Sequence, residues 1–224
     1  MDKKELLKNA VLKFVVGVIG TGFILFASAG TFAWWNAWAF MAVLFLPMMA
    51  LGVFLFLKEP ALLEKRLEMK ETEEEQKSVI KVSSLLLLIG FILPGIDFRF
   101  AWSHVPLAVV IVSCILVLLG YGLFVYVLKT NAYASRTVNI QDNQKLIDYG
   151  PYKIVRHPMY TATLFIFIIS PLVLGSWFGF IVMLFYPFML KIRIDSEEKV
   201  LTDGLKGYSE YKKAVKWRLI PYIW

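Results

Sequence analysis

One cysteine, two histidines and few charged side chains stand in a sequence of 224 residues. The single thiol, Cys114, can close no disulfide within the chain and cannot build a cysteine-rich metal site. In its apolar run it reads as a small core hydrophobe. No two histidines stand at metal-ligand spacing, so no metal is expected. No GxSxG nucleophile turn occurs, and no glycine-rich strand-to-helix fingerprint, which argues against a Rossmann-type cofactor domain. Asp, Glu, Lys and Arg make up only 18% of the chain, against 58% hydrophobic residues and a mean hydropathy of +0.65. Too few polar side chains remain to coat a globule in water, which excludes a cytosolic enzyme and a disordered tail. There is no internal repeat, no low-complexity linker and no basic–aromatic repeat, so the net charge of +7 is not read as a nucleic-acid partner.

What is present is a series of apolar runs at 11–29, 32–57, 79–96 and 107–128. Each is close to the roughly 17–25 residues that a membrane helix needs. Lys3 and Lys4 precede the first run as in a signal peptide. No small-residue cleavage site followed by a soluble domain appears, so the run is read as a retained helix. A fifth apolar region, 160–190, is broken by Ser170-Pro171 and Gly175-Ser176. Its first leg, about 22 Å as a helix, falls short of a hydrocarbon core of roughly 30 Å. The expectation is a helical hairpin whose second leg runs on past Arg193. Gly17, Gly20 and Gly22 inside the first run read as helix packing.

If the spans alternate, three basic residues before the first, five in the loop after the second, five before the hairpin and eight in the tail share one side, 21 of the 24 Lys and Arg. Arg99 lies opposite; Lys13 and Lys81 sit near span ends and can snorkel. This bias predicts both termini in the cytoplasm. The opposite loops are very short, so chemistry belongs to the cytoplasmic segments. Trp34, Trp35, Trp38, Trp102, Trp217 and Trp224 read as an aromatic belt, and the acidic run 71–75 as a solvated face.

Two polar clusters stand out. In the first, 144–160, Arg156 and His157 directly precede a membrane helix. His157 is biased to extended backbone by Pro158, which suits a first helical position. Backbone donors at such a start can receive a polar ligand. From spacing alone an interfacial cap fits equally well, with Arg156 snorkelling to headgroups and His157 on a backbone carbonyl. In the second, 191–198, Arg193 and Glu197 share a helix face. Either they form an i,i+4 ion pair worth a few tenths of a kcal/mol, or Arg193 binds an anionic substrate and a Glu binds a cofactor.

Together the clusters resemble the isoprenylcysteine carboxyl methyltransferase family and the wider group that includes phospholipid N-methyltransferases. The residues that carry the resemblance are Lys145-Leu146-Ile147, Gly150-Pro151-Tyr152, Arg156-His157-Pro158-Met159-Tyr160, Glu197-Glu198, Tyr208-Ser209-Glu210-Tyr211 and Arg218-Leu219-Ile220-Pro221. Order and spacing match from about Asn131 to Pro221; the first four spans match as architecture only. Ala162 stands where the family often has glycine, and Lys199 follows the Glu pair where an acidic residue is frequent.

The resemblance implies an all-α, multi-pass integral membrane bundle with a non-Rossmann cofactor pocket on the cytoplasmic side. Residues 1–128 would form a four-helix transmembrane region and residues 129–224 the cofactor-binding catalytic region. The implied cofactor is S-adenosylmethionine, held by Gln144, Lys145, Leu146, Ile147, Tyr152, His157, Pro158, Met159 and Tyr160, with Glu197 or Glu198 at its polar end. Arg193 and His157 are the implied catalytic residues, Arg193 facing the acceptor. The implied partners are membrane lipids and a lipophilic or lipidated acceptor entering from the bilayer. A carboxylate acceptor needs no general base, so alignment and exclusion of water carry the reaction. An amine acceptor, as in phospholipid or small-amine N-methylation, must lose a proton and needs a base. A non-catalytic scaffold or transporter is disfavoured, because the spans are nearly free of ionisable residues. So is a nicotinamide-dependent reductase, because the segment 144–160 is short for so large a cofactor.

Overall fold

The computed structural model describes residues 2–67, 74–134, 140 and 143–224, with the backbone alone at 74–79. Among the described residues the chain is helical, with no strand. The helices are α1 (Lys3–Ala29), α2 (Trp35–Lys58), α3 (Pro60–Leu67), α4 (Glu74–Phe100), α5 (Leu107–Thr130), α6 (Pro158–Val173), α7 (Trp177–Met183), α8 (Tyr186–Gly204) and α9 (Tyr208–Ala214), with a 3-10 turn at Gly150–Lys153. The side chains of the acidic run 71–75, and of Lys70, Lys77 and Arg136, lie outside the described residues.

Five stretches among the described residues are long and apolar enough to cross a membrane: α1, α2, Ile80–Phe100 of α4, α5, and α7 with α8 over Trp177–Gly204. In the most apolar part of each, no more than 28% of residues are buried. Leu12, Val16, Ile19 and Phe23 of α1 and Ile111, Ile115 and Leu119 of α5 point away from the protein. So much contiguous apolar surface is not sustained in water but is matched by lipid. Helices are the form it takes because each satisfies its own backbone polar groups. The protein is therefore an integral membrane helical bundle, as its composition implied.

One core runs through the bundle. Leu25, Phe26 and Ala29 of α1, Ala37 and Phe40 of α2, Val117 and Tyr121 of α5, and Ile166 and Val173 of α6 are buried together, with Cys114 packed partly buried against them. α5 and α6 approach closely. A Cβ at Gly120 would lie 2.9 Å from the Phe165 Cβ and 3.2 Å from the Ala162 carbonyl oxygen, so only glycine fits. Of the three glycines in α1, Gly22 meets a neighbour, Met41, at 3.3 Å, whereas a Cβ at Gly20 would meet nothing within 4 Å. At one end of the bundle α3 seats Leu62 and Leu63 against Leu6, Leu55 and Leu128. Lys13 donates to the Leu67 carbonyl at the end of α3, so its ammonium is drawn to this end.

The hairpin departs in detail from the sequence reading. Ser170-Pro171 does not interrupt α6; the Ser170 hydroxyl donates to the Ile166 carbonyl, and the helix runs on to Val173. The reversal comes at Gly175, whose φ of 83° is left-handed. At 16 residues α6 is about 24 Å long, the short leg expected. The second leg breaks between α7 and α8, where Pro187 can offer no N–H to Met183. Trp34 is not part of an interfacial belt: it is fully buried and stacked on Phe98 at 5.2 Å, and α2 starts only after it. Trp35, Trp38 and Trp102 are exposed, as a belt requires.

At the end of the bundle away from α3, the buried Asp97 carboxyl accepts from the Ser103 N–H at 2.8 Å, the Ser103 hydroxyl at 2.5 Å and the Ser176 hydroxyl at 2.5 Å. Ser176 in turn accepts from the Gly179 N–H and caps α7. One carboxyl thus ties the α4–α5 loop to the hairpin turn. Asp97→Ala leaves these donors buried without a partner and is expected to cost about 3 kcal/mol. The check is the melting temperature in detergent, which falls further than in Ser103→Ala.

Candidate active site

The site is assembled where α6 begins. Gly150-Pro151 starts the 3-10 turn, which is tied back to α5: the Tyr149 hydroxyl donates to the Thr130 carbonyl at 3.1 Å, and Asn131 donates to the Tyr152 hydroxyl at 2.8 Å. His157 has φ −124° and ψ 62°, outside the helical region as Pro158 requires. The tail then crosses this start. The Arg156 N–H donates to the Trp217 carbonyl and the His157 N–H to the Arg218 carbonyl, both at 2.9 Å. The Thr161 hydroxyl donates to the Leu219 carbonyl at 2.8 Å.

The centre of the arrangement is Glu198, 2% exposed. Its Oε1 receives Arg156 Nε at 2.7 Å and lies 3.2 Å from His157 Nε2. Its Oε2 receives Arg218 Nη2 at 3.1 Å and Lys212 Nζ at 3.2 Å. Arg156 is buried too, and its Nη1 donates to the Val215 and Lys216 carbonyls at 2.7 and 2.9 Å. Neither half of the interfacial-cap reading describes these residues, since Arg156 meets a carboxylate rather than headgroups and the His157 ring meets Glu198 rather than a carbonyl. Low dielectric and full hydrogen bonding make this cluster strong as a unit and costly to disrupt.

Glu197 is different. Its side chain is 25% exposed. Its Oε2 accepts from the Tyr160 hydroxyl at 2.5 Å, and its Oε1 is 3.9 Å from His157 Nδ1. The Tyr160 hydroxyl accepts from Arg193 Nε at 2.8 Å, so a phenol bridges Arg193 to Glu197. The Tyr160 ring stacks on His157 at 5.7 Å.

The structure thus brings His157, Pro158, Tyr160, Arg193, Glu197 and Glu198 together at one point. Tyr152 joins them through the tail: its carbonyl accepts from the Tyr211 hydroxyl at 2.8 Å. Burial, and next the negative charge of Glu197, raises the Tyr152 phenol to about 12 despite its bond to Asn131. Leu146 packs against Leu205, Tyr208 and Tyr211. Gln144 and Ile147 are half-buried and Lys145 is exposed. Met159 points elsewhere: it packs against the α3 cluster, and its sulfur accepts from Arg66 at 3.5 Å.

Beside the site a cavity of about 420 Å³ opens between Leu146, Asp148, Lys153, Glu210, Tyr211 and Val215. Its volume lies within the ~300–1,000 Å³ common for small-molecule sites. Of the residues assigned to the cofactor site from sequence only Leu146 lines it. Lys212, Arg218 and Tyr208 were also missed as members of the site. Arg218 had a signal in its R-x-x-P setting; Lys212 is one of many basic residues in the tail, and nothing local marks it.

A family model described as phospholipid methyltransferase matches residues 108–207. Over this region, a little under half of its length, the chain is similar to that family. No curated protein matches the chain. The match takes in α5, the Arg-His-Pro turn, the hairpin, Arg193 and both glutamates, and stops before Tyr208, Lys212 and Arg218. The family supports a membrane methyltransferase in the broad sense; the carboxyl-methylating branch is not singled out by it.

The two glutamates should separate in a stability measurement. Glu198→Ala leaves the buried Arg156 uncompensated and is expected to cost about 3–5 kcal/mol, seen as lost folded yield or a sharply lower melting temperature in detergent. Glu197→Gln keeps an acceptor for Tyr160 and should stay within about 1 kcal/mol of the parent.

Proposed function

We propose that the protein is an S-adenosylmethionine-dependent methyltransferase acting on a lipophilic acceptor that enters from the bilayer. The observation that carries this reading is the pair of carboxylates at one end of an apolar bundle, with Glu198 locked among Arg156, His157, Lys212 and Arg218 and Glu197 left partly open beside Tyr160, Arg193 and His157. The chemistry of the donor set fits the cofactor. Its methionyl end carries an ammonium and a carboxylate, and Glu197 offers a carboxylate to the first. Its apolar parts suit Leu146, Ile147 and the ring of Tyr152, and Gln144, Lys145, His157, Pro158 and Tyr160 complete the set, without Met159, which is turned to the α3 cluster. When bound, the sulfonium supplies an activated methyl group.

In this reading residues 129–224 hold the cofactor and residues 1–128 anchor them. The basic bias supports a cytoplasmic site with both termini on that side. Glu198 is a positioning residue, holding the tail against the start of α6. Arg193, oriented through its Nε by Tyr160, receives an anionic group of the acceptor as a planar guanidinium does well. His157, stacked on Tyr160 and bonded to Glu198, would form part of the wall that holds the cofactor. The apolar surround excludes water. For a carboxylate acceptor of the isoprenylcysteine kind, these tasks suffice.

A second reading has support of its own in the family match, whose description names phospholipid methylation. An amine acceptor must release a proton, and Glu197 is the reachable base.

Calorimetry with S-adenosylhomocysteine on the purified, folded protein tests the cofactor. The parent protein is expected to bind, and Glu197→Gln and His157→Ala to bind at least about tenfold more weakly, with the melting temperature of Glu197→Gln unchanged. No binding by folded parent protein overturns the proposal. Membranes incubated with methyl-labelled cofactor then separate the acceptors: label released by mild base marks a carboxyl ester, and label in phosphatidylethanolamine-derived lipid marks an amine.

A further inference from the structure

Tyr208, the first residue of α9, is 3% exposed. Its ring packs among Leu146, Tyr152, Leu201 and Leu205 and lies 5.7 Å from the Tyr211 ring. Its hydroxyl is buried with no hydrogen-bond partner among the described residues. The neighbouring hydroxyls all have one: Tyr160 on Glu197, Tyr211 on the Tyr152 carbonyl, Thr161 on the Leu219 carbonyl and Thr202 on the Glu198 carbonyl. An unmade bond of this kind is costly, and native proteins leave few. Burial first, then the charges of Glu198 and Glu197, holds this phenol far above its ordinary range, so it is a donor at any physiological pH.

The position is informative. Leu146 and Tyr152, against which the ring packs, belong to the segment before α6. The two charges that act on the hydroxyl belong to α8. A donor without an acceptor therefore stands between the two halves of the proposed pocket, in a part of the tail beyond the family match.

We propose that the Tyr208 hydroxyl is a further contact of the adenosyl ligand, donating a hydrogen bond to a carboxylate or ribose oxygen of its polar half. This rests on the cofactor reading given above. The ligand then supplies the missing acceptor, and the free protein carries an unsatisfied group whose cost is recovered on binding.

Tyr208→Phe deletes the hydroxyl and keeps the ring. Without ligand, its melting temperature should equal or exceed that of the parent, because a frustrated group has been removed. Its affinity for S-adenosylhomocysteine should fall about 5- to 20-fold, and the stabilisation by saturating ligand should shrink accordingly. Equal affinity in parent and variant overturns the proposal and means that the hydroxyl meets a trapped water. Should the variant fold poorly, 3-fluorotyrosine at 208, a stronger donor of nearly the same shape, is expected to bind more tightly than the parent; unchanged affinity there overturns it too. If the folded parent binds no S-adenosylhomocysteine, the cofactor reading itself fails, and the parent arm of the titration reports that separately.

Discussion

A carboxylate taken out of water must be met by positive charge and hydrogen bonds, and Glu198 obliges the rest of the site to meet it. Arg156 and His157 come from the start of α6, Lys212 from α9, and Arg218 from the tail. Three stretches of chain are thereby held to α8 at one point. Desolvating these ions is expensive, and the cluster is sustained only because every strong partner is in place. Removing any one of them exposes the others to the same penalty, which makes the cluster a geometric anchor rather than a reserve of stability.

The membrane imposes the second constraint. Lipid rewards long, self-satisfied helices and penalises stray polar groups, so the charged residues that chemistry needs are driven to the ends of the bundle. The two ends use this differently. At one, a single carboxyl, Asp97, binds the α4–α5 loop to the hairpin turn and is saturated by its own neighbours. At the other, the short α6 leaves its first turn deep enough for Tyr160 and His157 to meet Glu197 and Glu198. In the function we propose, a water-soluble cofactor and a lipophilic acceptor share a boundary there.

Glu197 and Glu198 show how neighbours in sequence acquire unlike roles. One residue along an α-helix is a rotation of about 100°. That rotation turns Glu198 toward Arg156 and the tail and leaves Glu197 toward Tyr160, partly open. The Tyr160 phenol, placed between Arg193 and Glu197, replaces the simple i,i+4 ion pair that spacing suggested with a three-residue relay of hydrogen bonds. The reachable carboxylate and the oriented guanidinium thus belong to one connected array.

Much of this was legible in the sequence. Runs of apolar residues longer than the bilayer needs announce helices whatever they pack against, and Arg156-His157-Pro158-Met159-Tyr160 with Glu197-Glu198 carries its order and spacing in plain view. Composition and periodicity are local properties, and they determined the helical membrane architecture, the short first leg of the hairpin and the two clusters that converge. Which carboxylate is locked, that Lys212 and Arg218 complete its shell, that Met159 turns to α3, that Trp34 is interior and that the Tyr208 hydroxyl lacks a partner were decided by tertiary structure alone. Each depends on which groups are brought within a few ångströms across tens of residues, and burial and hydrogen bonding are properties of that proximity, not of the order of residues along the chain.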